Sequence, residues 1–375
     1  MKILQLGKAY PPANLGGVEV VIQLLCEGLN KKGVYCDALG VNDKREFKKE
    51  NGVNGGIVYR AKLIVKAFST LLSLNIIYLL KKIRKEYDII HIHAPDPMSA
   101  LALLLVNPKA HIVLHWHSDI LRQKLMLFFF SPIQRWLLNR VDIIIVTSPN
   151  YAAGSVALQR HAHKIKILPI GIDVDDHLHE EEGCNIRDRY TGKKIVFSLG
   201  RLAYYKGYEY LVKAAKYLPD NIVIIIAGEG NERKKIELLI AENKLDDKVQ
   251  LLGKVSDKVK TNLFRQCDVF ALSSIFKTEA YAIVQVEAMA YGKPIVSTRI
   301  PGSGVDWVNQ NGETGITVSI RDERALAEAV IQILANDDHY KVLSAQARKR
   351  YEAYFTLSKM IDDVVFLYNQ LLKKE

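Results

Sequence analysis

Short apolar runs alternate with longer amphipathic stretches through the first half of the chain. The runs are rich in β-branched residues and apolar at nearly every position, a pattern typical of parallel strands that are buried on both faces. They predict strands at Ile3 to Leu6, Asp88 to His93, His111 to Trp116, Asp142 to Thr147 and Lys166 to Leu168. The helical stretches between them, such as Val18 to Lys32 and Leu121 to Arg140, would supply the crossovers of a doubly wound sheet.

The same pattern starts again after a break at Pro169 to Asp173 and a polar, acidic segment. This second set of apolar runs predicts strands at Lys194 to Leu199, Ile222 to Ala227, Val249 to Leu251, Val269 to Leu272 and Ile295 to Ser297. The sequence therefore predicts an α/β fold of two Rossmann-like, doubly wound domains, at 1–169 and 170–355. The remaining residues, 356–375, carry the helical pattern Leu357 to Leu372, and this helix could pack back on the first domain.

Composition places the chain among globular proteins, and its charge is unevenly distributed. Of 375 residues, 49% are hydrophobic and 25% are charged, which suits two cores and excludes a disordered chain. The net charge is +11, but residues 1–169 contain 23 Lys and Arg against 11 Asp and Glu, whereas the rest is almost neutral. The basic first half favours an anionic partner: nucleic acid, a phosphorylated substrate or an anionic membrane surface.

Targeting and cysteine signals are weak. No apolar run reaches the roughly 18 residues that a spanning helix needs, and the chain starts with a short strand-like run, so we expect a cytoplasmic protein. The four cysteines lack metal-binding spacing, and reduced thiols are the plain interpretation of Cys26, Cys36, Cys184 and Cys267.

Glycines and cations follow predicted strands at positions suited to phosphate. Gly16 and Gly17 lie between the first strand and the first helix, where backbone amides can approach an anion, although a simple tight turn explains them equally well. Arg201 and Lys206 follow the first strand of the second domain, at the sheet edge where open α/β sheets bind ligands. Together they could neutralise a diphosphate; the alternative is a pair of solvated surface cations.

Two glutamates form the strongest chemical signal. Glu279 directly precedes a predicted helix over 280–291 that carries Glu287, and a rise of about 1.5 Å per residue separates the two acids by about 12 Å along its axis. One carboxylate could then reach a hexose and the other a ribose, with the diphosphate at the helix N-terminus. The alternative, a helix-start acid and a surface acid, is disfavoured for Glu287 because its neighbours Val286 and Ala288 are apolar.

In order and spacing these motifs resemble family 4 glycosyltransferases, a retaining group with the GT-B fold. Glu279 and Glu287 match the family's E-x7-E motif, and Arg201 and Lys206 match its G-R…K-G pair. The resemblance looks closest to bacterial lipopolysaccharide and polysaccharide mannosyltransferases. It includes Gly16-Gly17, Pro301-Gly302-Ser303-Gly304, Tyr10-Pro11, His117-Ser118-Asp119, Ser148-Pro149-Asn150-Tyr151 and Tyr205-Lys206-Gly207.

The resemblance implies a role for each matched residue. Two GT-B domains would face each other across a cleft, with the first on the acceptor side and the second binding the nucleotide sugar. Arg201 and Lys206 would hold the donor diphosphate and act in catalysis, and Gly16 and Gly17 would also lie at the donor. His117 and Glu279 would contact the transferred sugar, and Glu287 would contact the ribose. The backbone of Ile283 and Val284 would bind phosphate oxygens. The family generally works without a bound metal, so no cofactor beyond the nucleotide-sugar co-substrate is expected.

Histidines offer a competing metal hypothesis. His115, His117 and Asp119 alternate along a predicted strand and are ligand types, but no other ligand-spaced pair accompanies them. His91 and His93 are better explained by packing at a strand end. The sequence therefore predicts no metal site.

Two apolar stretches with basic flanks suggest a membrane surface. Lys62 to Tyr87 has an apolar centre at Leu71 to Leu80 between lysines, and Leu125 to Phe130 lies near Arg122, Lys124 and Arg135. Either stretch alone is also explained by a buried crossover helix. Together with the charge asymmetry they support peripheral association with the cytoplasmic face of the inner membrane.

The resulting hypothesis is a retaining hexosyltransferase that builds a cell-surface glycan such as O-antigen or capsule. Its donor of first choice is GDP-mannose and its acceptor a lipid-linked saccharide or polysaccharide. A UDP-hexose donor remains open because no residue in the sequence reads the base. A sugar-nucleotide epimerase of the same fold is the second hypothesis; nucleic acid is not expected, because basic residues are not interleaved with aromatic ones.

Overall fold

A computed structural model describes residues 1–12, 16–67, 70–120, 124–174 and 186–373. The chain divides into two compact units. The first unit comprises Met1–Gly171 and Leu357–Glu375, and the second comprises Ile172–Thr356.

The strands alternate with helices along both units. The strands of the first unit are β1 (Lys2–Leu6), β2 (Tyr35–Val41), β3 (Lys48–Asn51), β4 (Ile57–Ala61), β5 (Val65–Ala67), β6 (Thr70–Leu72), β7 (Ile89–Ala94), β8 (His111–Trp116), β9 (Ile143–Val146) and β10 (Ile165–Ile167). Those of the second unit are β11 (Lys194–Leu199), β12 (Ile222–Ala227), β13 (Val249–Gly253), β14 (Val269–Leu272), β15 (Ile295–Arg299) and β16 (Gly315–Ser319).

The helices belong mostly to the connections between strands. The first unit contains α1 (Gly17–Lys31), α2 (Leu74–Ile83), α3 (Pro97–Val106), α4 (Lys124–Arg140), α5 (Pro149–Gly154) and the terminal helix α14 (Leu357–Leu372). The second unit contains α6 (Ile186–Arg189), α7 (Tyr208–Ala214), α8 (Arg233–Glu242), α9 (Asp257–Gln266), α10 (Ile283–Ala290), α11 (Val305–Val308), α12 (Glu323–Leu334) and α13 (Asp337–Tyr354). Short 3-10 helices span Val156–Lys164, Tyr204–Lys206 and Ala215–Tyr217.

Each unit is built on one main sheet. The sheet of the first unit has the strand order β10-β9-β8-β7-β1-β2-β4-β3, and it is parallel except for β3. The sheet of the second unit has the order β13-β12-β11-β14-β15-β16 and is parallel throughout. The order reverses between β1 and β7 in one sheet and between β11 and β14 in the other. These are the switch points at which doubly wound sheets bind ligands, and the α/β prediction is confirmed.

The prediction missed several strands of the first unit, and β2 shows why. Asp37 interrupts its apolar pattern, yet the side chain is buried. Its carboxylate accepts hydrogen bonds from the Tyr87 hydroxyl and from the Ile57 amide, each at 2.6 Å. A charged residue that is satisfied by distant partners can occupy a buried strand, and local patterning does not reveal such partners.

The terminal helix α14 packs on α1 within the first unit. The two helices approach so closely at Gly28 that a Cβ there would lie 2.6 Å from Cδ1 of Ile361. Lys32 pairs with Asp362 at the edge of this contact. Tyr368, on the same helix, is fully buried and reaches the sheet.

Three of the four cysteines lie within the described residues. Cys26, Cys36 and Cys267 are buried and free, while Cys184 lies outside the described residues. Burial raises the pKa of Cys267 to about 12. Among the helices that the structure describes, none combines the length and apolarity needed to cross a membrane.

Candidate active site

A buried ion pair lies at the switch point of the second unit. Lys206 ends the 3-10 turn that follows β11, and Glu279 lies in the loop that follows β14. The Lys206 ammonium is 2.6 Å from Oε2 of Glu279, and both residues are 8% exposed. The Ser274 hydroxyl donates a hydrogen bond to the same carboxylate oxygen at 2.8 Å. The carboxyl ends of two neighbouring strands thus supply a cation and an anion that are held together.

The electrostatics of this pair keep Lys206 charged. Burial by itself would lower the pKa of Lys206, but the charge and hydrogen bond of Glu279, together with smaller effects of Tyr208 and Tyr205, outweigh burial and raise the pKa above its usual value. Burial also raises the pKa of the neighbouring Tyr208 to about 12, so this phenol stays neutral. The site therefore contains a permanent cation whose position is fixed by its partner.

Gly207 allows the two loops to meet. Its φ is +61°, and a Cβ at this position would lie 2.2 Å from the carbonyl oxygen of Ser273. The Ser273 hydroxyl donates to the Lys206 carbonyl at 3.0 Å. Any other residue at 207 would force apart the turn that positions Lys206 and the end of β14.

Arg201 lies on the same loop in a different environment. It follows Gly200 directly after β11 and is exposed, whereas Lys206 is buried. Within the described part of the chain, no carboxylate forms an ion pair with Arg201. Its guanidinium is therefore available to an external anion at the carboxyl edge of the sheet.

The helix predicted over 280–291 is shorter than expected, and Glu279 does not open it. Helix α10 begins at Ile283, after Ala282 with φ +61°. The preceding segment is bonded to the glycine turn: the Gly304 amide donates to the Ala280 carbonyl at 2.8 Å, and the Ser303 hydroxyl donates to the Glu279 carbonyl. The prediction that Glu279 and Glu287 lie about 12 Å apart along one helix was therefore wrong, because Glu279 lies outside the helix.

The first turn of α10 and Glu287, which lies further along the same helix, have different surroundings. Ile283 and Val284 are half-buried at the helix start, where backbone amides have no acceptor within the helix. Glu287 is half-buried, and its Oε1 lies 2.9 Å from the Lys260 ammonium. Burial lowers the pKa of Lys260, but the opposing effects of Glu287 and, to a lesser degree, Asp257 together outweigh burial and leave the pKa above its usual value. Glu287 is thus a paired, oriented carboxylate.

Sequence reasoning missed Ser274 and Lys260. Ser274 could have been found, because it follows β14 at the same sheet edge that drew attention to Arg201. Lys260 carries no local signal. It lies on α9, 27 residues before its partner Glu287, and only the packing of two helices brings them together.

The glycine pair of the first unit lies at the start of α1. Gly16 occupies the N-cap position and Gly17 is the first helical residue; Ala13 to Leu15 lie outside the described residues. Oε2 of Glu19 would lie 2.7 Å from a Cβ at Gly16. This buried carboxylate already lies at the helix N-terminus, so the predicted donor contact of the two glycines has an acidic neighbour.

Four histidines gather at the carboxyl ends of β7 and β8. Their two-residue spacing places them on one face, and the register pairs His93 with His115. The rings form a stack with centroids 4.2 to 5.4 Å apart and planes within 25° of each other. Burial lowers the pKa of His91 and His117 to about 3 and puts those of His93 and His115 well below the usual value. The cluster is neutral at physiological pH.

The stack does not have the geometry of a metal centre. Ring nitrogens of His91, His93 and His115 lie within 4.8 Å of one another. However, the lone pair of an imidazole lies in the ring plane, so stacked rings direct their lone pairs along parallel planes and not to one point. Asp119, grouped with His115 and His117 from the sequence, instead accepts hydrogen bonds from the Trp116 indole and the Ser155 hydroxyl. The absence of a metal stays a prediction.

Comparison with known proteins identifies the family. Residues 15–176 match the model described as Glycosyltransferase Family 4, and residues 181–350 match that of Glycosyl transferases group 1. O-antigen chain mannosyltransferase C of Escherichia coli is 30% identical over 375 residues, with all of both chains covered. D-rhamnosyltransferase WbpZ of Pseudomonas aeruginosa is 28% identical, with 95% of this chain and 92% of the relative covered.

Solved structures share the fold at lower identity. Sucrose-phosphate synthase from Thermosynechococcus elongatus superposes with a TM-score of 0.80 at 22% identity, and each chain is completely covered. Anabaena Alr3699/HepE in complex with UDP-glucose gives a TM-score of 0.75 at 19% identity, over 99% of this chain and all of the other.

The fold and the family together define the class. Two doubly wound Rossmann-like units are the building blocks of GT-B glycosyltransferases. The chain belongs to glycosyltransferase family 4. It is a nucleotide-sugar-dependent hexosyltransferase.

Proposed function

We propose that this enzyme transfers mannose from GDP-mannose, with retention of anomeric configuration, to a lipid-linked or polysaccharide acceptor during O-antigen or capsule synthesis. The relatives with full-length similarity support this choice, because one is named an O-antigen chain mannosyltransferase and another a D-rhamnosyltransferase. A UDP-hexose donor is the second candidate. It is favoured by the neighbour HepE, whose structures contain UDP and UDP-glucose.

The observation that carries the proposal is the buried pair of Lys206 and Glu279. Departure of a nucleoside diphosphate leaves negative charge on the bridging oxygen, and a cation that is already in place stabilises that charge without rearrangement. Lys206 supplies such a cation and exposed Arg201 supplies a second one on the same loop. Together they would hold the diphosphate.

The remaining polar groups divide between the sugar and the nucleoside. Glu279 has one oxygen bonded to Lys206 and Ser274, and its other oxygen would accept hydrogen bonds from hydroxyls of the transferred hexose. The free amides of Ile283 and Val284 would meet phosphate oxygens. Glu287, oriented by Lys260, would accept from the ribose hydroxyls. His117 would contact the hexose.

A panel of nucleotide sugars tests the donor. The protein is incubated with GDP-mannose, GDP-rhamnose, UDP-glucose and UDP-galactose, and binding and release of the nucleoside diphosphate are measured. GDP-mannose should bind most tightly. Preference for a UDP-sugar would transfer the proposal to the second donor. Conversion of a donor to its epimer without any acceptor would refute the transferase. NMR of the product linkage reports the anomeric outcome.

A basic, apolar surface on the first unit supports a membrane-bound acceptor. In sequence, Lys62 to Tyr87 resembles one membrane-surface helix, but the structure divides this stretch into the antiparallel pair β5-β6 and the helix α2. The inner face of α2 is buried, as the crossover alternative expected, whereas Leu74 and Tyr78 are 68% and 62% exposed. This membrane-facing patch consists of Ile64, Val65, Leu72, Leu74 and Tyr78 with exposed Lys62, Lys66, Lys81, Lys82 and Lys85.

The second predicted patch adds no structural support. The side chains of residues 121–129, which include most of Leu125 to Phe130, lie outside the described residues. The membrane proposal therefore depends on the membrane-facing patch and on the basic charge of the first half of the chain.

Vesicle binding tests this surface. Replacing Lys81, Lys82 and Lys85 by Ala should weaken binding to anionic vesicles about 100-fold, because each lysine near such a surface contributes about 1 kcal/mol. Neutral vesicles should bind neither the wild type nor this triple variant well. As a matched control, replacing three exposed lysines of the second unit should leave binding unchanged: Lys234, Lys341 and Lys349. Equal loss in both triple variants would contradict the proposal.

A further inference from the structure

A row of hydrogen bonds connects His117 to the sheet of the first unit. The Gln5 side chain oxygen is 2.8 Å from Nε2 of His93, and Nδ1 of His93 is 2.9 Å from Nε2 of His117. Gln5 is on β1, His93 is on β7, and His117 follows β8. All three side chains are buried, with Gln5 and His93 at most 1% exposed and His117 at 7%.

Counting protons along this row determines which nitrogen of His117 carries hydrogen. An amide oxygen can only accept, so Nε2 of His93 must be the donor to Gln5. His93 is neutral, because burial and, to a lesser degree, its histidine neighbours hold its pKa well below the usual value. A neutral imidazole has a single N–H, and Nδ1 of His93 must therefore accept. His117 then donates from Nε2, and its own Nδ1 retains a lone pair.

The other end of the row is compatible with this direction. The Gln5 amide nitrogen faces the Tyr368 hydroxyl at 3.5 Å, and that hydroxyl is 2.6 Å from Nδ1 of His91. Tyr368 can accept from Gln5 and donate its own hydrogen to Nδ1 of His91, which places the hydrogen of His91 on Nε2, an enclosed atom without a partner among the described residues. Rotating the Gln5 amide by 180° would reverse the row and place the hydrogen of His117 on Nδ1. The side chain of Gln5 thus decides the tautomer of a histidine two hydrogen bonds away.

Nδ1 of His117 is the open end of the row. Within the described residues it forms no hydrogen bond, and it is absent from the fully enclosed polar atoms, unlike both ring nitrogens of His115. A ligand hydroxyl can therefore reach it. An unprotonated ring nitrogen accepts a hydrogen bond from a hydroxyl and repels the lone pairs of a phosphate oxygen.

We propose that Gln5 and His93 are positioning residues that fix His117 as the Nε2–H tautomer, so that its Nδ1 accepts a hydrogen bond from a hydroxyl of the sugar substrate. The tautomer follows from the row with the Gln5 amide oxygen facing His93. Its use in recognition rests on the proposed function, in which His117 contacts the transferred hexose.

The first test measures the tautomer in the unliganded full-length protein. With ¹⁵N-histidine labelling, protonated and unprotonated ring nitrogens give separate signals, and a His117→Asn variant assigns those of His117 among the ten histidines. We expect a protonated Nε2 and an unprotonated Nδ1 at neutral pH. A protonated Nδ1 would overturn the proposal, whatever the enzyme transfers.

The second test removes the acceptor. Gln5→Met keeps the side-chain length and removes the amide, so both tautomers of His117 should become populated. The kcat/KM of transfer should then fall between about twofold and tenfold, the range for loss of one hydrogen bond. Thr147→Val is the matched control, because its buried hydroxyl has no partner in the described structure and lies in the same unit.

The outcomes of the two tests separate the proposal from the assigned function. An unchanged ¹⁵N spectrum in Gln5→Met, or an equal loss of activity in Thr147→Val, would refute the positioning role. Full transfer activity in His117→Ala would instead refute the sugar contact. In that case the tautomer measurement would still decide whether the row fixes the proton of His117.

Discussion

Removing the ammonium of Lys206 should destabilise the second unit more than an ordinary substitution does. Lys206→Met keeps most of the side-chain length but removes the ammonium. The Glu279 carboxylate then stays buried, with Ser274 as its remaining side-chain partner. Breaking one partner of a buried ion pair costs about 3–5 kcal/mol, since the remaining charge loses its compensation. For a unit of this size, 1 kcal/mol changes Tm by about 2–4 °C. The expected decrease is therefore roughly 6–20 °C.

The paired variant separates charge compensation from packing. In Lys206→Met with Glu279→Met both charges disappear, and the desolvation of two ions no longer opposes folding. This double variant should regain most of the lost stability. Thermal unfolding is best followed in the second unit itself, through Trp307. The chain has three tryptophans, and Trp307 is the one that lies in this unit. Exposed Lys216→Met serves as the control for loss of a lysine.

Two results would refute this reasoning about Lys206. One is a single variant whose Tm lies within about 2 °C of the wild type. The other is a double variant that is no more stable than the single one, which would mean that Lys206 acts through packing. For function, Lys206→Ala should weaken both donor binding and turnover, and wild-type kinetics would remove Lys206 from the proposed site.

Three further predictions use the same structure. Glu279→Gln should reduce kcat more than donor affinity, measured by steady-state kinetics and calorimetry; an equal loss in both would contradict a role specific to transfer. Gly207→Ala should cost at least about 1–2 kcal/mol in urea unfolding, because its φ is +61°, and wild-type stability would exclude this strain. Acid should destabilise the first unit, because the pKa values of its four buried histidines lie below the values in the unfolded chain. The folding stability that these neutral histidines contribute is present above about pH 6.5 and is lost below it, by about 4 kcal/mol in total between pH 6.5 and 5.5. A pH-independent Tm over this range would contradict their burial as neutral groups.

The strands that alternate with helices could be predicted because their signal is local. Strand β11 at Lys194–Leu199 and strand β14 at Val269–Leu272 agree with their predicted bounds, since buried parallel strands are apolar at nearly every position. β2 was not predicted, because Asp37 breaks the run and is satisfied by Tyr87, 50 residues away. Local patterning also extended the helix around Glu287 back to Glu279, whereas hydrogen bonds to the 301–304 turn hold Glu279 and Ala280 outside the helix, which begins only at Ile283.

The composition of the candidate site was largely readable from motifs, but its pairings were not. The sequence singled out Lys206, Glu279 and Glu287 as separate charges. The strand order of the second sheet places β11 beside β14, and this adjacency brings Lys206 to Glu279 across 73 residues of chain. Which charges neutralise each other is thus decided by topology.

The histidines show the same division most clearly. Two H-x-H patterns, one in β7 and one at the end of β8, are visible in the sequence, and each by itself suggests only that two rings share a strand face. Parallel pairing of the two strands joins them into one stack, and β1 and α14 add Gln5 and Tyr368 from the two ends of the chain. Residue type and spacing are properties of a local segment, and the sequence determined them. The proton on His117 depends on an amide 112 residues away, and only the tertiary structure brings that amide into contact, because hydrogen bonds act over about 3 Å and not along the chain.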